Sequence, residues 1–342
     1  MDATHDDAWA GPTVGELGEL AVLDRITRRL PTGSPIVGPG DDCAVVAAPD
    51  ARFVLTTDMM VHGPDFRWAW SSPTDVGWKA AATNLSDVAA MGAVPTGMVI
   101  ALAAPQDTPV AVFEAFADGV RAAVEALAPG CGVVGGDLST SATFTVAVTA
   151  FGDLQGRAPV LRSGARPGDV LAVSGELGRA ARGLGRLFQH GVDDAGEPSR
   201  AATVASGADV DPDVQRQRRP VPPIADGRLA AIAGATAMLD LSDGLAIDAG
   251  RLARASGVTL DLDDPDDLDD GGGALGDLGP VMLHGGEDHG LLATFPSDVP
   301  LPGGFRRIGV VRPRGGADLV RADVPVPTTG WDPYADWDGA AG

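Results

Sequence analysis

The chain is 342 residues long, 44% hydrophobic and 21% charged, a globular composition with room for two domains. Its net charge of −22 argues against nucleic acid or an anionic membrane as a partner, and its single lysine, Lys79 in Gly-Trp-Lys-Ala-Ala, excludes a P-loop. Two cysteines without CxxC spacing, Cys43 and Cys131, and an N-terminus without a secretory pattern point to the reducing cytoplasm.

Thr13 and Glu16 form a capping-box pattern ahead of Leu17, Leu20, Leu23, Ile26 and Leu30, so one helix is expected up to Pro31. Short strands are expected at 44–47 and 53–57, a helix over 73–91, a strand at 98–102 and a helix over 109–127. Strands follow at 132–134 and 143–151. The Gly-, Arg- and Pro-rich stretch 156–167 reads as a link between two domains, residues 1–155 and 156–342. Beyond it, strands are expected at 170–174, 237–239, 291–295 and 306–311, with helices over 178–190, 223–233 and 245–255. The polar segment 191–219 reads as a surface loop, and the acidic stretch 261–273 as a solvated loop rather than a calcium loop. Strands and helices mix without strict βαβ regularity, which predicts an α+β fold.

Several polar residues stand where core periodicity does not place them. Asp41 and Asp42 follow a Gly-Pro-Gly turn, where turn chemistry alone accounts for them. Thr56, Thr57 and Asp58 close a strand, where they can ligate a hard cation or cap a turn. In the Ala-rich helix 73–91, Lys79, Thr83, Asn84 and Asp87 form one polar stripe, and a buried Asp there needs a partner or a metal. Gly135 and Gly136 allow close backbone approach to a phosphate, and Asp137 can hold the metal that bridges it, although an ordinary turn is the usual explanation of a lone Gly-Gly-Asp. Asp240, Ser242 and Asp243 join a strand to a helix, where an N-cap explains one polar residue but not three. Glu287 and Asp288 add two carboxylates beside Gly285 and Gly286. Gathered without cations these carboxylates repel each other. Gathered around Mg²⁺ they form hard oxygen sites suited to phosphoryl transfer.

In this order the motifs resemble the thiamine-monophosphate kinase family: Gly40-Asp41-Asp42-Cys43, Thr56-Thr57-Asp58, Asn84-Leu-Ser86-Asp87, Gly135-Gly136-Asp137, Arg162-Ser163-Gly164, Asp240-Leu-Ser242-Asp243-Gly244 and Gly285-Gly286-Glu287-Asp288. The resemblance implies a two-domain fold like that of aminoimidazole ribonucleotide synthetase, with N-terminal domains pairing into a β-barrel in a homodimer. It implies ATP-dependent conversion of thiamine monophosphate to thiamine diphosphate by in-line transfer with several Mg²⁺ ions. Carried onto this chain, it makes Asp41, Thr56, Thr57, Asp58, Asp87, Asp137, Asp240 and Asp243 metal ligands, with Asp87, Asp137 and Asp240 central to catalysis. Gly135, Gly136, Arg162 and Ser242 would hold ATP, and Glu287 and Trp331 would hold thiamine. The family's Gly-x-His-Phe segment is here Gly63-Pro64-Asp65-Phe66, which puts Asp65 at a substrate position. The family's Ser-Gly-Gly-Glu-Asp-Tyr-Glu is here His284-Gly-Gly-Glu-Asp-His289-Gly290. Both changes fall on the substrate side, leaving two rivals: a kinase for another phosphate monoester, or an inactive nucleotide-binding homologue.

Overall fold

The computed structural model describes residues 9–36, 46–263 and 279–330. Asp41, Asp42, Cys43 and Trp331, and most of the acidic stretch after Asp263, lie outside the described residues.

The described residues build two sheets. The first has four strands in the order β1-β4-β2-β3: β1 (Val54–Val61), β2 (Val94–Ala104), β3 (Gly132–Thr140) and β4 (Thr145–Asp153). β4 runs antiparallel to both β1 and β2, while β3 runs parallel to β2. A parallel neighbour requires a crossover, and α4 (Val110–Leu127) supplies it. α4 packs with α3 (Pro73–Ala90) on one face of the sheet, around Leu85, Met98, Phe113, Phe116 and Val148. Among the described residues the sheet is open, not a closed barrel. Its other face carries Phe53, Leu55 and Met59, 57–63% exposed.

α3 starts as its sequence dictates. Ser72 and Asp75 cap it reciprocally, each side chain accepting from the other's backbone N–H, and Pro73 occupies the first turn. α3 and α4 touch backbone to backbone: a Cβ at Gly77 would stand 2.0 Å from Phe116 O, and one at Gly119 would stand 2.0 Å from Thr74 O. We expect Gly77→Ala to destabilise the protein by about 2 kcal/mol in urea titration, since the helices must separate for a methyl group. An unchanged midpoint would show that the crossing tolerates it.

The second sheet has seven strands in the order β11-β10-β7-β9-β5-β8-β6: β5 (Val170–Ser174), β6 (Ala237–Leu241), β7 (Val258–Leu262), β8 (Gly290–Phe295), β9 (Arg306–Pro313), β10 (Leu319–Arg321) and β11 (Val324–Pro325). Three neighbouring strands, β5, β8 and β6, divide their side chains between two cores. Leu239 and Leu241 of β6 pack with α9 (Leu245–Ser256), whereas Met238 joins Ala230 of α8 (Ile224–Ala233) on the opposite face. Covered on both sides, β6 and β8 are buried along their whole length.

Several expectations need correction. The N-terminal helix is two pieces, α1 (Val14–Leu17) and α2 (Glu19–Thr27), because Gly18 takes φ 77° between them. Residues 46–47 form no strand. Thr56-Thr57-Asp58 lies inside β1 and Gly135-Gly136-Asp137 inside β3, not at strand ends. Gly136 is demanded by the sheet itself, since a Cβ there would stand 2.3 Å from Ile100 O. Segment 191–219 is no loop. It folds into α6 (Arg200–Ala205), a 3₁₀ turn at Ala208–Val210 and α7 (Pro212–Arg218), and buries Asp213, Gln217 and Arg218. Arg179 and Arg182 of α5 (Arg179–His190) hold Asp213, while Arg219 reaches Asp75 of α3 at 2.5 Å. Asp261 is not in a solvated loop either: it sits in the buried strand β7, paired with Arg312.

Candidate active site

α3 is the axis of the site, and the two ends of its polar stripe serve different neighbours. Lys79 and Asp87 are eight residues apart, roughly 12 Å along the helix. Near its C-terminal end, Asp87 Oδ2 accepts from Thr56 Oγ1 at 2.7 Å, and Asn84 Oδ1 accepts from the Asp58 N–H at 3.2 Å. Alternation along β1 brings Thr56 and Asp58 to this face and turns Thr57 to the other, where its hydroxyl donates to Val148 O. From the second sheet, Asp240 at the end of β6 faces the same recess, 5% exposed.

Electrostatics report how tightly these acids sit. Burial, then the nearby Asp240 carboxylate, push the Asp87 carboxyl up to about 7. Asp58 retains solvent exposure, yet burial and the carboxylates of Asp240 and Asp243 raise it above the ordinary range, against the pull of His289. Burial opposes charge on His289, but Asp240 overrides it and raises the imidazole. The separation between His289 Nδ1 and Asp240 Oδ2, 3.5 Å, is long for a hydrogen bond, so the attraction is chiefly Coulombic.

Of the other expected ligands among the described residues, Asp243 comes near enough to act on Asp58, while Asp137 stands apart. Strand register puts Asp137 beside Ala101 and Ala147, on the sheet face turned away from α3 and shared with Thr57. Asp243 is already held by Arg251 Nη1 at 2.6 Å. Arg162 is exposed, and its carbonyl oxygen accepts from Ser256 Oγ. Among the described residues no three His, Cys, Asp or Glu side chains enclose a metal ion by themselves. The donors at Thr56, Asp58, Asp87 and Asp240 are nonetheless all hard oxygens, and their crowding raises Asp58 and Asp87 as an unneutralised site would. That chemistry fits Mg²⁺, which completes its shell with water and phosphate oxygens.

At the other end of α3 lies a cavity of about 480 Å³ between the 63–71 turn, α5, α7 and the 284–287 loop. Asp65, Arg67, Trp70, Phe188, Gln217 and Glu287 are among its lining residues. The Arg67 guanidinium stands 4.9 Å from the Trp70 ring centroid and 5.1 Å from that of Phe188. Asp65 Oδ2 accepts from the Val61 N–H at 2.7 Å, fixing the turn that presents it, and burial raises its carboxyl. Glu287 takes a left-handed φ of 70°, and its N–H donates to Ser242 O at 2.7 Å. Gly286 permits this, since a Cβ there would stand 2.5 Å from Ser242 O. Asp288 anchors the same loop by accepting from the N–H groups of Gly178 and Ala180, at the start of α5. Such strain persists only where surrounding bonds over-determine it, and here they do.

Sequence reading missed Gln217, Trp70, Phe188 and Arg251. Gln217 lay in the segment taken for a loop. Trp70, Phe188 and Arg251 carry no local signal, because only the packing of α5, α7, α9 and the 63–71 turn assigns them roles.

The first of the two sheets belongs to a known class of domain: residues 40–154 match the family model described as AIR synthase related protein, N-terminal domain. The chain is 44% identical over 341 residues to the thiamine-monophosphate kinase of Mycobacterium tuberculosis, covering 97% of this chain and 95% of the relative. It belongs to the thiamine-monophosphate kinase family. Among solved structures, that of thiamine-monophosphate kinase from Stenotrophomonas maltophilia K279a is 31% identical with a TM-score of 0.70, covering 89% of this chain and 97% of the other. A second, AaThiL complexed with AMPPCP and TMP, is 30% identical with a TM-score of 0.66 and covers 94% and 98%.

Proposed function

We propose that the protein transfers the γ-phosphoryl group of ATP to thiamine monophosphate, giving thiamine diphosphate and ADP. The observation that carries this reading is the pairing, along one helix, of a hard-oxygen recess at Asp87 with an acidic, aromatic-walled cavity at Glu287. A cationic thiazolium suits aromatic faces and carboxylates, and an aminopyrimidine donates to an acid. The full-length relatedness to named thiamine-monophosphate kinases, and the relative seen with AMPPCP and TMP, support both substrates.

In the proposed reaction an oxygen of the substrate's phosphate attacks the γ-phosphorus in line with the departing ADP oxygen, with no covalent enzyme intermediate. Bound Mg²⁺ ions would neutralise the phosphate charge that this acidic chain cannot. Thr56, Asp58, Asp87 and Asp240 would hold them, joined by Asp41 and Asp243, whereas Thr57 and Asp137 face the other side of the sheet and stand outside this set. Gly135, Gly136, Arg162 and Ser242 would bind ATP. Asp65, Glu287 and Trp331 would bind thiamine. We further propose that residues 1–155 form the ATP- and metal-binding domain and residues 156–342 the second, in a cytoplasmic homodimer. Pairing through the open face of the first sheet would cover Phe53, Leu55 and Met59. No described helix is long and apolar enough to cross a membrane.

Asp65 and His289 replace residues typical of the family, so the acceptor is the part to test. ADP release should be stimulated by thiamine monophosphate and not by unphosphorylated thiamine. Stronger stimulation by an unrelated phosphate monoester would replace the acceptor and keep the kinase.

A further inference from the structure

Lys79 has no place in the reaction as described so far, yet its setting is unusual. It is the only lysine in the chain, 4% exposed, and lies on α3 behind the cavity wall. A buried ammonium is costly unless paired, and its partner is Glu287 Oε1 at 2.6 Å. The partners are 208 positions apart in sequence, so the contact ties α3 to the strained loop of the second sheet. The pair is asymmetric: the Lys79 side chain is 5% exposed and that of Glu287 33%, so the carboxylate faces the cavity and the ammonium stands behind it. Gln217 Nε2, from α7, lies 3.4 Å from the second carboxylate oxygen. A paired carboxylate only accepts, so the amide nitrogen must be the atom turned toward it. Ser86 Oγ, further along α3, donates to His289 O at 3.1 Å and pins the other end of the loop.

We propose that Lys79 is a positioning residue for substrate recognition. It fixes the Glu287 carboxylate, with Gln217 as the second hold, in the orientation that accepts from an N–H donor of the bound acceptor. This rests on the reading of Glu287 as an acceptor-binding residue. A purely structural ion pair would contribute to folding alone. A positioning pair acts on the acceptor's KM and leaves the nucleotide's KM in place.

The experiment is steady-state kinetics on the full-length Lys79→Met protein, alone and combined with Glu287→Gln. Lys79→Met is expected to raise KM for thiamine monophosphate about tenfold, with KM for ATP within about twofold. In the Glu287→Gln background the same change should add less than about twofold, because the group it positions has lost its charge. Should Lys79→Met fail to fold, Lys79→Gln, shorter and neutral but still an N–H donor, carries the same test with the same expected split. Equal rises in both KM values, or full additivity in the double variant, would overturn the role of Lys79 and leave the kinase reading intact. Wild-type protein that forms no thiamine diphosphate would overturn the acceptor reading, and this proposal with it.

Discussion

Asp87→Asn is expected to lower kcat by about a thousandfold or more, while the protein folds and melts no lower than its parent near neutral pH. The amide keeps the shape and still accepts from Thr56 Oγ1, so the recess is not disrupted. What it loses is the charge that would bind Mg²⁺. The stability expectation follows from the carboxyl being pushed up to about 7 by burial and Asp240, against 3.8 unperturbed. Between those values the native state holds a proton that the unfolded chain releases. Stability from this group is therefore complete below about pH 4 and declines as pH rises toward 7. Without divalent cations, Asp87→Asn should flatten that decline in thermal scans. Near-parental kcat at saturating Mg²⁺ would remove Asp87 from the catalytic set.

Glu287→Gln is the second large effect. It should raise KM for thiamine monophosphate about thirtyfold, and lower stability by about 2 kcal/mol by leaving the buried Lys79 ammonium without a countercharge. The stability cost is set below that of a fully buried pair because water reaches a third of the Glu287 side chain. Kinetics and urea titration on one preparation separate the two effects. A stability loss without a change in KM would make Glu287 structural.

Much of the fold was legible because local signals and tertiary demands agree. Ser72, Pro73 and Asp75 mark the start of α3, and β5 falls within its expected bounds because two core faces demand the apolar run Val170–Val173. Segment 191–219 misled because its Arg and Asp residues look solvated one at a time. Only the pairing of Arg179 and Arg182 with Asp213 makes them a packed unit. The polar stripe on α3 marked the face that meets the second sheet, but its partners lie on β1, β6 and the 285–289 loop, contacts that no local pattern encodes. The ordered motifs located the carboxylates without revealing that strand alternation turns Thr57 and Asp137 away from Asp87. Gly136 of Gly-Gly-Asp, open in the sequence to a phosphate role or an ordinary turn, answers first to the backbone of Ile100.

The central claim is that the γ-phosphoryl group of ATP passes to thiamine monophosphate. Incubation with γ-labelled ATP, Mg²⁺ and thiamine monophosphate, followed by chromatography of the thiamine products, tests it directly. Labelled thiamine diphosphate equimolar with ADP is the expected result. ATP binding with no labelled thiamine product would contradict the claim.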